Sequence, residues 1–235
     1  MDARDRIIVS LDMSDGERAR RMVNELCDCI LWFKIGLELM NAIGAPQAAG
    51  LVKQRKKKLL LDGKFDDIPT TMIGAVRAAA SHGADMLTIH ASAGWEAIRA
   101  AVEARGSAKI LGVTVLTSLA GTECLSIFGD TPDRKVLQFA HMLSDSGADG
   151  IVCSPQEARE IRQRSKFNSM IIVTPSIRPA WATANDQKRA ATPAEAIRAG
   201  ADFLVIGRPI MQPPKEIGRP SDAVARIVEE ITSVK

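Results

Sequence analysis

The chain has 235 residues, 46% of them hydrophobic and 25% charged, the balance of an ordinary globular protein long enough to bury most of its surface. Its 31 Lys and Arg stand against 28 Asp and Glu, a net charge of +3, too small an excess to announce a nucleic-acid binder but compatible with an anionic small ligand. No apolar run approaches the length that spans a membrane, so neither nucleic acid nor lipid is expected as a partner.

The opening MDARDR has no signal-peptide pattern and passes straight into an apolar run, Ile7–Leu11. Seven more runs follow: Leu31–Ile35, Leu59–Leu61, Met86–Ile89, Ile110–Val115, Gly150–Cys153, Met170–Val173 and Phe203–Ile206. They are short, rich in Ile, Val and Leu, and lack clean alternation, as strands buried on both faces of a parallel sheet do. A segment with helical periodicity follows each. Ser14 with Glu17, Ser154 with Glu157 and Thr192 with Glu195 have capping-box spacing, and Pro155 and Pro193 stand at the first helical position. Gly83, Gly147 and Gly200 each lie between a helix and the next strand, where a left-handed cap is expected.

Eight strand–helix units in unbroken alternation predict an α/β fold, one (β/α)8 TIM barrel over residues 1–235. A doubly wound open sheet would usually have fewer strands, and no linker, low-complexity tract or composition shift marks a second domain. The cysteines are Cys27, Cys29, Cys124 and Cys153; C-D-C spacing suits neither a zinc pair nor a redox C-x-x-C. Reduced, mostly buried thiols are expected, and with them a cytoplasmic location.

A barrel places its chemistry at the C-terminal ends of strands. Asp12, Lys34, Asp62, Lys64, His90, Ser118, Pro175, Gly207 and Arg208 all fall there. The densest group is L-D-G-K-F-D-D-I-P-T-T, residues 61–71. Asp62 and Lys64 are two apart, so both side chains are expected on one side of the strand, with Asp67 three residues on and Lys34 on the preceding strand. The expected result is alternating charge: Lys, Asp, Lys, Asp. Two carboxylates favour the ammonium form of Lys64, which suits a proton donor, whereas a Schiff-base lysine needs a free amine. Asp62 and Asp67 are possible magnesium ligands, but the lysine between them competes for the same space.

V-I-G-R-P-I, residues 205–210, ends the last strand. Gly207 there allows close backbone approach and Arg208 supplies a guanidinium fork, an arrangement suited to phosphate. The stretch from Thr174 through Arg178 to Asp186, Gln187 and Lys188 is long enough for a lid. The basic run Lys53, Arg55, Lys56, Lys57 and Lys58 reads as a solvated helix end. His82 and His141 read as helix residues and His90 as a hydrogen-bonding residue behind the site. Trp32 and Trp95 read as packing, and Trp181 as packing or as a cover over the site.

D-x-K-x-x-D-I-P-x-T, from Asp62 to Thr71, resembles the signature of the orotidine 5′-phosphate decarboxylases. S-L-D at Ser10–Asp12, F-K-I-G at Phe33–Gly36, H-A-S at His90–Ser92 and V-T-V-L-T-S at Val113–Ser118 agree with it. So do T-P-S-I-R-P at Thr174–Pro179, D-Q-K-R at Asp186–Arg189 and V-I-G-R-P-I. D-x-K-x-x-D alone is shared with related sugar-phosphate barrels; I-P-x-T and D-Q-K-R are more specific. The resemblance implies metal-free and cofactor-free decarboxylation of orotidine 5′-monophosphate to uridine 5′-monophosphate, the last step of de novo pyrimidine biosynthesis, by a homodimer. It implies that Lys64 protonates C6, that Asp62 sits against the substrate carboxylate, and that Asp67, Ile68 and Thr71 reach the neighbouring subunit's site. It assigns Asp12 and Lys34 to ribose hydroxyls, with Lys34 bracing Asp62, and Ser118 to the pyrimidine amide edge. Gln187, Arg208 and the Gly207 backbone are assigned to phosphate, and Pro175 and Arg178 to substrate binding.

Two residues depart from the family pattern. Ser176 stands where Gly is frequent, and a positive φ there would cost on the order of 1 kcal/mol. Gly63 replaces an apolar residue, which predicts a looser strand end. Two other readings stay open on the residues alone. One is a magnesium-dependent sugar-phosphate decarboxylase or aldolase, which shares D-x-K-x-x-D without needing I-P-x-T, Ser118 or D-Q-K-R. The other is a non-catalytic nucleotide-binding barrel, against which the Asp-Lys-Asp set argues, since a binder gains little from a carboxylate beside its anionic ligand.

Overall fold

Each of the eight apolar runs becomes a strand. The structure, a computed structural model, describes residues 1–182 and 190–234. Among these the strands are β1 (Ile7–Ser10), β2 (Trp32–Ile35), β3 (Lys58–Phe65), β4 (Met86–His90), β5 (Lys109–Val113), β6 (Gly150–Val152), β7 (Ile171–Thr174) and β8 (Phe203–Ile206). All pair in parallel and in chain order, and β8 pairs back onto β1, which closes the barrel. The helices outside are α1 (Gly16–Leu26), α2 (Leu37–Ile43), α3 (Ala45–Lys53), α4 (Pro69–Ser81), α5 (Trp95–Ala104) and α6 (Gly121–Phe128), followed by α7 (Pro132–Asp145), α8 (Pro155–Arg162), α9 (Pro193–Arg198), α10 (Arg208–Met211) and α11 (Pro220–Thr232). The crossovers after β2 and β5 and the segment after β8 hold two helices each. Among the described residues no helix is long and apolar enough to cross a membrane.

Period two survives inside the strands although hydropathy hides it. Ile7, Val9, Phe33, Ile35, Leu59 and Leu61 pack outward into the shell between strands and helices. Their neighbours Ile8, Trp32, Leu60, Met86, Leu111, Val173 and Phe203 fill the lower barrel interior, where the rings of Trp32 and Phe203 meet edge-on at 5.5 Å. One step further along β1, β2, β3 and β4 the inward residue becomes Ser10, Lys34, Asp62 and Thr88 respectively, all buried. The same parity that plugs the barrel below therefore aims polar groups into its mouth.

The local helix signals hold with one correction. Glu157 accepts from the Ser154 N–H at 2.8 Å, and at Thr192 the capping box is reciprocal, Glu195 accepting from the Thr192 N–H at 2.8 Å and the Thr192 hydroxyl from the Glu195 N–H at 3.2 Å. At α1, however, Asp15 caps in place of Ser14, its carboxylate accepting from the N–H groups of Glu17 and Arg18 at 2.9 and 3.0 Å. A carboxylate there also complements the helix dipole. Cys124 and Cys153 are buried, whereas Cys27 and Cys29 are only half-buried.

Gly83, Gly147 and Gly200 adopt φ of +86°, +80° and +98°, and each opens the tripeptide Gly-Ala-Asp. In all three the Asp carboxylate accepts the first interior N–H of the preceding strand: Leu59 to Asp85 at 2.9 Å, Ile110 to Asp149 at 2.9 Å and Ile172 to Asp202 at 2.8 Å. Each carboxylate also pairs with cations, Lys53 and Lys58 on Asp85, Arg105 and Lys109 on Asp149, Arg162 on Asp202. Burial would raise the Asp85 carboxyl, but its two lysines and the Leu59 N–H outweigh that and hold it below the usual range. These three staples tie the N-terminal rim. Two members of the basic run after α3 therefore belong to a staple, while Arg55 and Lys56 are solvent-exposed.

Candidate active site

The opposite rim encloses a cavity of about 460 Å³. Strands β8, β1, β2 and β3 line it with charge, through Asp12, Lys34, Asp62, Lys64 and Arg208; strands β5, β6 and β7 line it with Val113, Val115, Val152 and Val173. Pro175, Ser176 and Arg178 enter from the loop after β7, and Arg18 from α1. Five cationic side chains thus face two carboxylates, an excess of three positive charges concentrated at one mouth.

The centre is a chain of ion pairs. Lys34 Nζ lies 2.8 Å from Asp12 Oδ1 and 3.1 Å from Asp62 Oδ2, and Lys64 Nζ lies 2.6 Å from the same Asp62 oxygen. Thr88 donates to the other Asp62 oxygen at 2.8 Å, and Ser10 donates to Asp12 Oδ2 at 2.6 Å. Burial would raise the Asp62 carboxyl, but Lys34, Lys64 and the Thr88 hydroxyl bring it down to about 2. Asp12 is likewise held low, Lys34 overcoming its burial. Lys34 is held above its ordinary range, because Asp62 and Asp12 outweigh the desolvation that would lower it. Gly36, the cap of α2, leaves room for this network: a Cβ there would stand 2.8 Å from Lys34 Nζ and 3.1 Å from Asp12 Oδ1.

The end of β3 differs from plain alternation. The strand runs on to Phe65 instead of stopping at Leu61, and its register against β4 shifts between Leu61 and Phe65. Lys64 takes φ +48°, and its N–H donates to Thr88 at 3.0 Å. Asp62 and Lys64 still converge, but through this bulge, with Lys64 itself, a non-glycine residue, in the left-handed region. The looser end expected at Gly63 is not found, since the Phe65 ring folds over that residue, where a Cβ would meet it at 2.6 Å.

Asp67 does not join the lysines within its own chain. Its carboxylate accepts from the Ile68 N–H at 2.7 Å, and Asp67, Ile68 and Thr71 are exposed outside the cavity. Asp67 and Ile68 instead border a shallow groove with Asp66, Ser92 and Trp95. Ile68 is 67% exposed and Trp95 42%, so Trp95 is a surface residue and not the packing residue expected. Ser118 is also exposed, and its neighbour Thr117 lines the cavity. Ser176 has the positive φ that its glycine-rich counterpart suggested, +64°. Gln187 lies outside the described residues. Trp181 is half-buried against the main core. His90 is half-buried, and burial pushes its imidazole below the usual range despite Asp66 and Asp62 nearby.

Sequence reasoning missed Arg18, Thr88 and Thr117. Thr88 had a signal, since it shares strand parity with the inward positions two residues before the end of β4. Arg18 had none, because only the packing of α1 over the barrel mouth brings it to the cavity.

Comparison with known proteins gives one answer. The profile described as the orotidine 5′-phosphate decarboxylase / HUMPS family matches residues 5–218. An orotidine 5′-phosphate decarboxylase of Nostoc sp. is 44% identical over 98% of both chains, and one of Caulobacter vibrioides is 42% identical over the whole of both. Among solved structures, an orotidine 5′-phosphate decarboxylase of Lactobacillus acidophilus superposes with a TM-score of 0.81 at 30% identity, covering 97% of this chain and all of that one. An uncharacterised conserved protein of Geobacillus kaustophilus superposes with a TM-score of 0.80 at 28% identity, covering 96% and 99%.

Proposed function

We propose a function from a fixed premise: this chain belongs to the orotidine 5′-phosphate decarboxylase / HUMPS family. The enzyme is a carboxy-lyase, and its substrate on this reading is orotidine 5′-monophosphate, converted to uridine 5′-monophosphate in pyrimidine biosynthesis. The observation that carries the reading is the Asp12–Lys34–Asp62–Lys64 chain of ion pairs, with Lys34 and Asp62 buried, at the mouth of a cationic cavity.

Loss of carbon dioxide from C6 leaves electron density on a ring carbon with no neighbouring carbonyl to spread it. An ammonium fixed beside that carbon stabilises the charge as it develops and then supplies the proton. Lys64 is the group for this. Asp62 orients it at 2.6 Å, and Lys34 and Thr88 in turn hold Asp62. The bulge that gives Lys64 its positive φ costs stability, and such strain persists where the surrounding structure imposes it. Asp62 beside the substrate carboxylate supplies repulsion that ends as carbon dioxide leaves. Asp12 and Lys34 are suited to ribose hydroxyls. Gly207 and Arg208, with Arg18 lining the same cavity, favour a phosphate dianion, and Gln187 would join them. Pro175 and Arg178 complete the wall, and Ser118 is assigned to the pyrimidine edge. Large rate enhancements need on the order of 20 kcal/mol, more than one lysine supplies, so binding energy from the phosphate must be drawn into the reaction.

The site is finished by a second copy of the chain on this reading. Asp67, Ile68 and Thr71 are exposed, the first two beside the groove that includes Trp95, and in a homodimer they would reach the partner's cavity. The reading is metal-free and cofactor-free, and it is supported against a metal at Asp62 by Lys34, Lys64 and Thr88, which already contact the Asp62 oxygens.

The test follows the ultraviolet change of orotidine 5′-monophosphate with purified protein in EDTA, beside a Lys64→Ala variant. Rapid loss of substrate by the parent, and a fall of at least a thousandfold in kcat for the variant, is expected, about 4 kcal/mol of lost transition-state stabilisation. An inert parent overturns the proposal. Turnover that needs added magnesium overturns its metal-free part.

A further inference from the structure

We propose that Ser176 is a positioning residue, whose hydroxyl holds Thr117 and its turn in place at the apolar end of the cavity, beside the edge of a bound heteroaromatic ring. The proposal rests on the decarboxylase reading for the identity of that ring and on geometry for the rest. Among the described residues only Lys56, Lys64 and Ser176 outside glycine have positive φ. Lys56 is an exposed turn residue, and Lys64 is the centre of the ion-pair chain. Ser176 is 6% exposed with φ +64°, a conformation that serine adopts only when its surroundings hold it there.

One bond that holds it spans the end of β6. The Ser176 hydroxyl donates to Thr117 Oγ1 at 3.0 Å, joining the loop after β7 to the loop after β5. Both residues line the cavity on its valine side, among Val113, Val115, Val152 and Val173. That wall suits the faces of a flat ring but has little to offer its carbonyl and N–H edges. A hydroxyl accepts twice and donates once, so Thr117 keeps capacity for a ligand while it accepts from Ser176. The same bond pins the turn closed by Leu119 N–H on Leu116 C=O at 3.0 Å, in which the exposed Ser118 sits. A glycine at 176 would take the backbone angle freely and lose the bond. This chain keeps the bond and accepts the angle.

The test compares Ser176→Ala, Ser176→Gly, Thr117→Val, Thr117→Ser and the double variant Ser176→Ala/Thr117→Val in the intact protein. Loss of one buried hydrogen bond corresponds to about a five- to tenfold effect. KM for orotidine 5′-monophosphate is expected to rise by that factor in Ser176→Ala and in Thr117→Val, with kcat within about twofold. The double variant should be no worse than either single one, and Thr117→Ser should keep the parental KM. Ser176→Gly should raise KM while its melting temperature stays at or above the parent's, a split that a merely structural residue does not produce. Parental KM in Ser176→Gly, or additive effects in the double variant, overturn the proposal. If the parent does not decarboxylate the nucleotide, the function falls but the latch is still decided by amide hydrogen exchange. Exchange in residues 116–119 about tenfold faster in Ser176→Ala supports it, and unchanged exchange overturns it.

Discussion

Replacing Asp62 by Asn removes one charge and almost no volume from the centre of the site. Asp62 Oδ2 takes Lys34 at 3.1 Å and Lys64 at 2.6 Å, and its side chain is only 10% exposed. Its carboxyl falls from 3.8 to about 2 in the fold, which corresponds to about 2 kcal/mol of stability at neutral pH. Stranding a buried charge outright costs about 3–5 kcal/mol. Lys34 escapes the full cost, since Asp12 remains 2.8 Å from its Nζ. Asp62→Asn is therefore expected to lose about 2–3 kcal/mol, or about 5–10 °C in melting temperature for a chain of this size.

The pH dependence gives the sharper test. A carboxyl whose pKa is depressed in the fold contributes stability that is fully present above its unfolded value and is lost as pH falls through the folded one. The gap between parent and Asp62→Asn, read by urea unfolding at a series of pH values, should be constant above about pH 5 and close between about pH 4 and pH 2. The raised Lys34 is the other end of the same interaction, so it is counted once; its contribution is present below its unfolded pKa and lost only in strong alkali. A variant as stable as the parent at pH 7, or a gap that persists unchanged to pH 2, would refute the ion-pair account of this site.

Two further substitutions separate activity from stability. Gly36→Ala puts a Cβ 2.8 Å from Lys34 Nζ; displacing that ammonium should cut kcat/KM about ten- to a hundredfold while the melting temperature falls little, and unchanged kinetics would show that the Lys34 position does not matter. Asp85→Ala removes the acceptor for Leu59 N–H, Lys53 and Lys58 at the opposite rim; it should cost about 1–3 kcal/mol with kcat and KM unchanged, and a loss of kcat would contradict the division between the two rims.

Much of this protein is local, and what is local could be read along the chain. A strand covered on both faces needs a continuous apolar run, so all eight strands were visible, and a helix start needs an acceptor for its first N–H groups, so Ser154 and Thr192 were visible as caps. Even the charged residues of β2 and β3 were legible, because a lysine or aspartate ending such a run has only the barrel mouth to face. Where two neighbouring residues could do the same work, as Ser14 and Asp15 at α1, spacing alone chose wrongly. The tertiary structure decided what depends on distance between segments far apart in sequence. It turned Asp67 away from Lys64 and onto the outer face, since the chain leaves β3 through a bulge that no periodicity encodes. It brought Arg18 and Thr88 to the cavity, exposed Ser118 while burying Ser176, and set the hydroxyl of Ser176 against Thr117. A pattern specifies which side of an element a residue occupies. Which residues then meet is settled only when closing the barrel fixes the spacing and twist of all eight strands together.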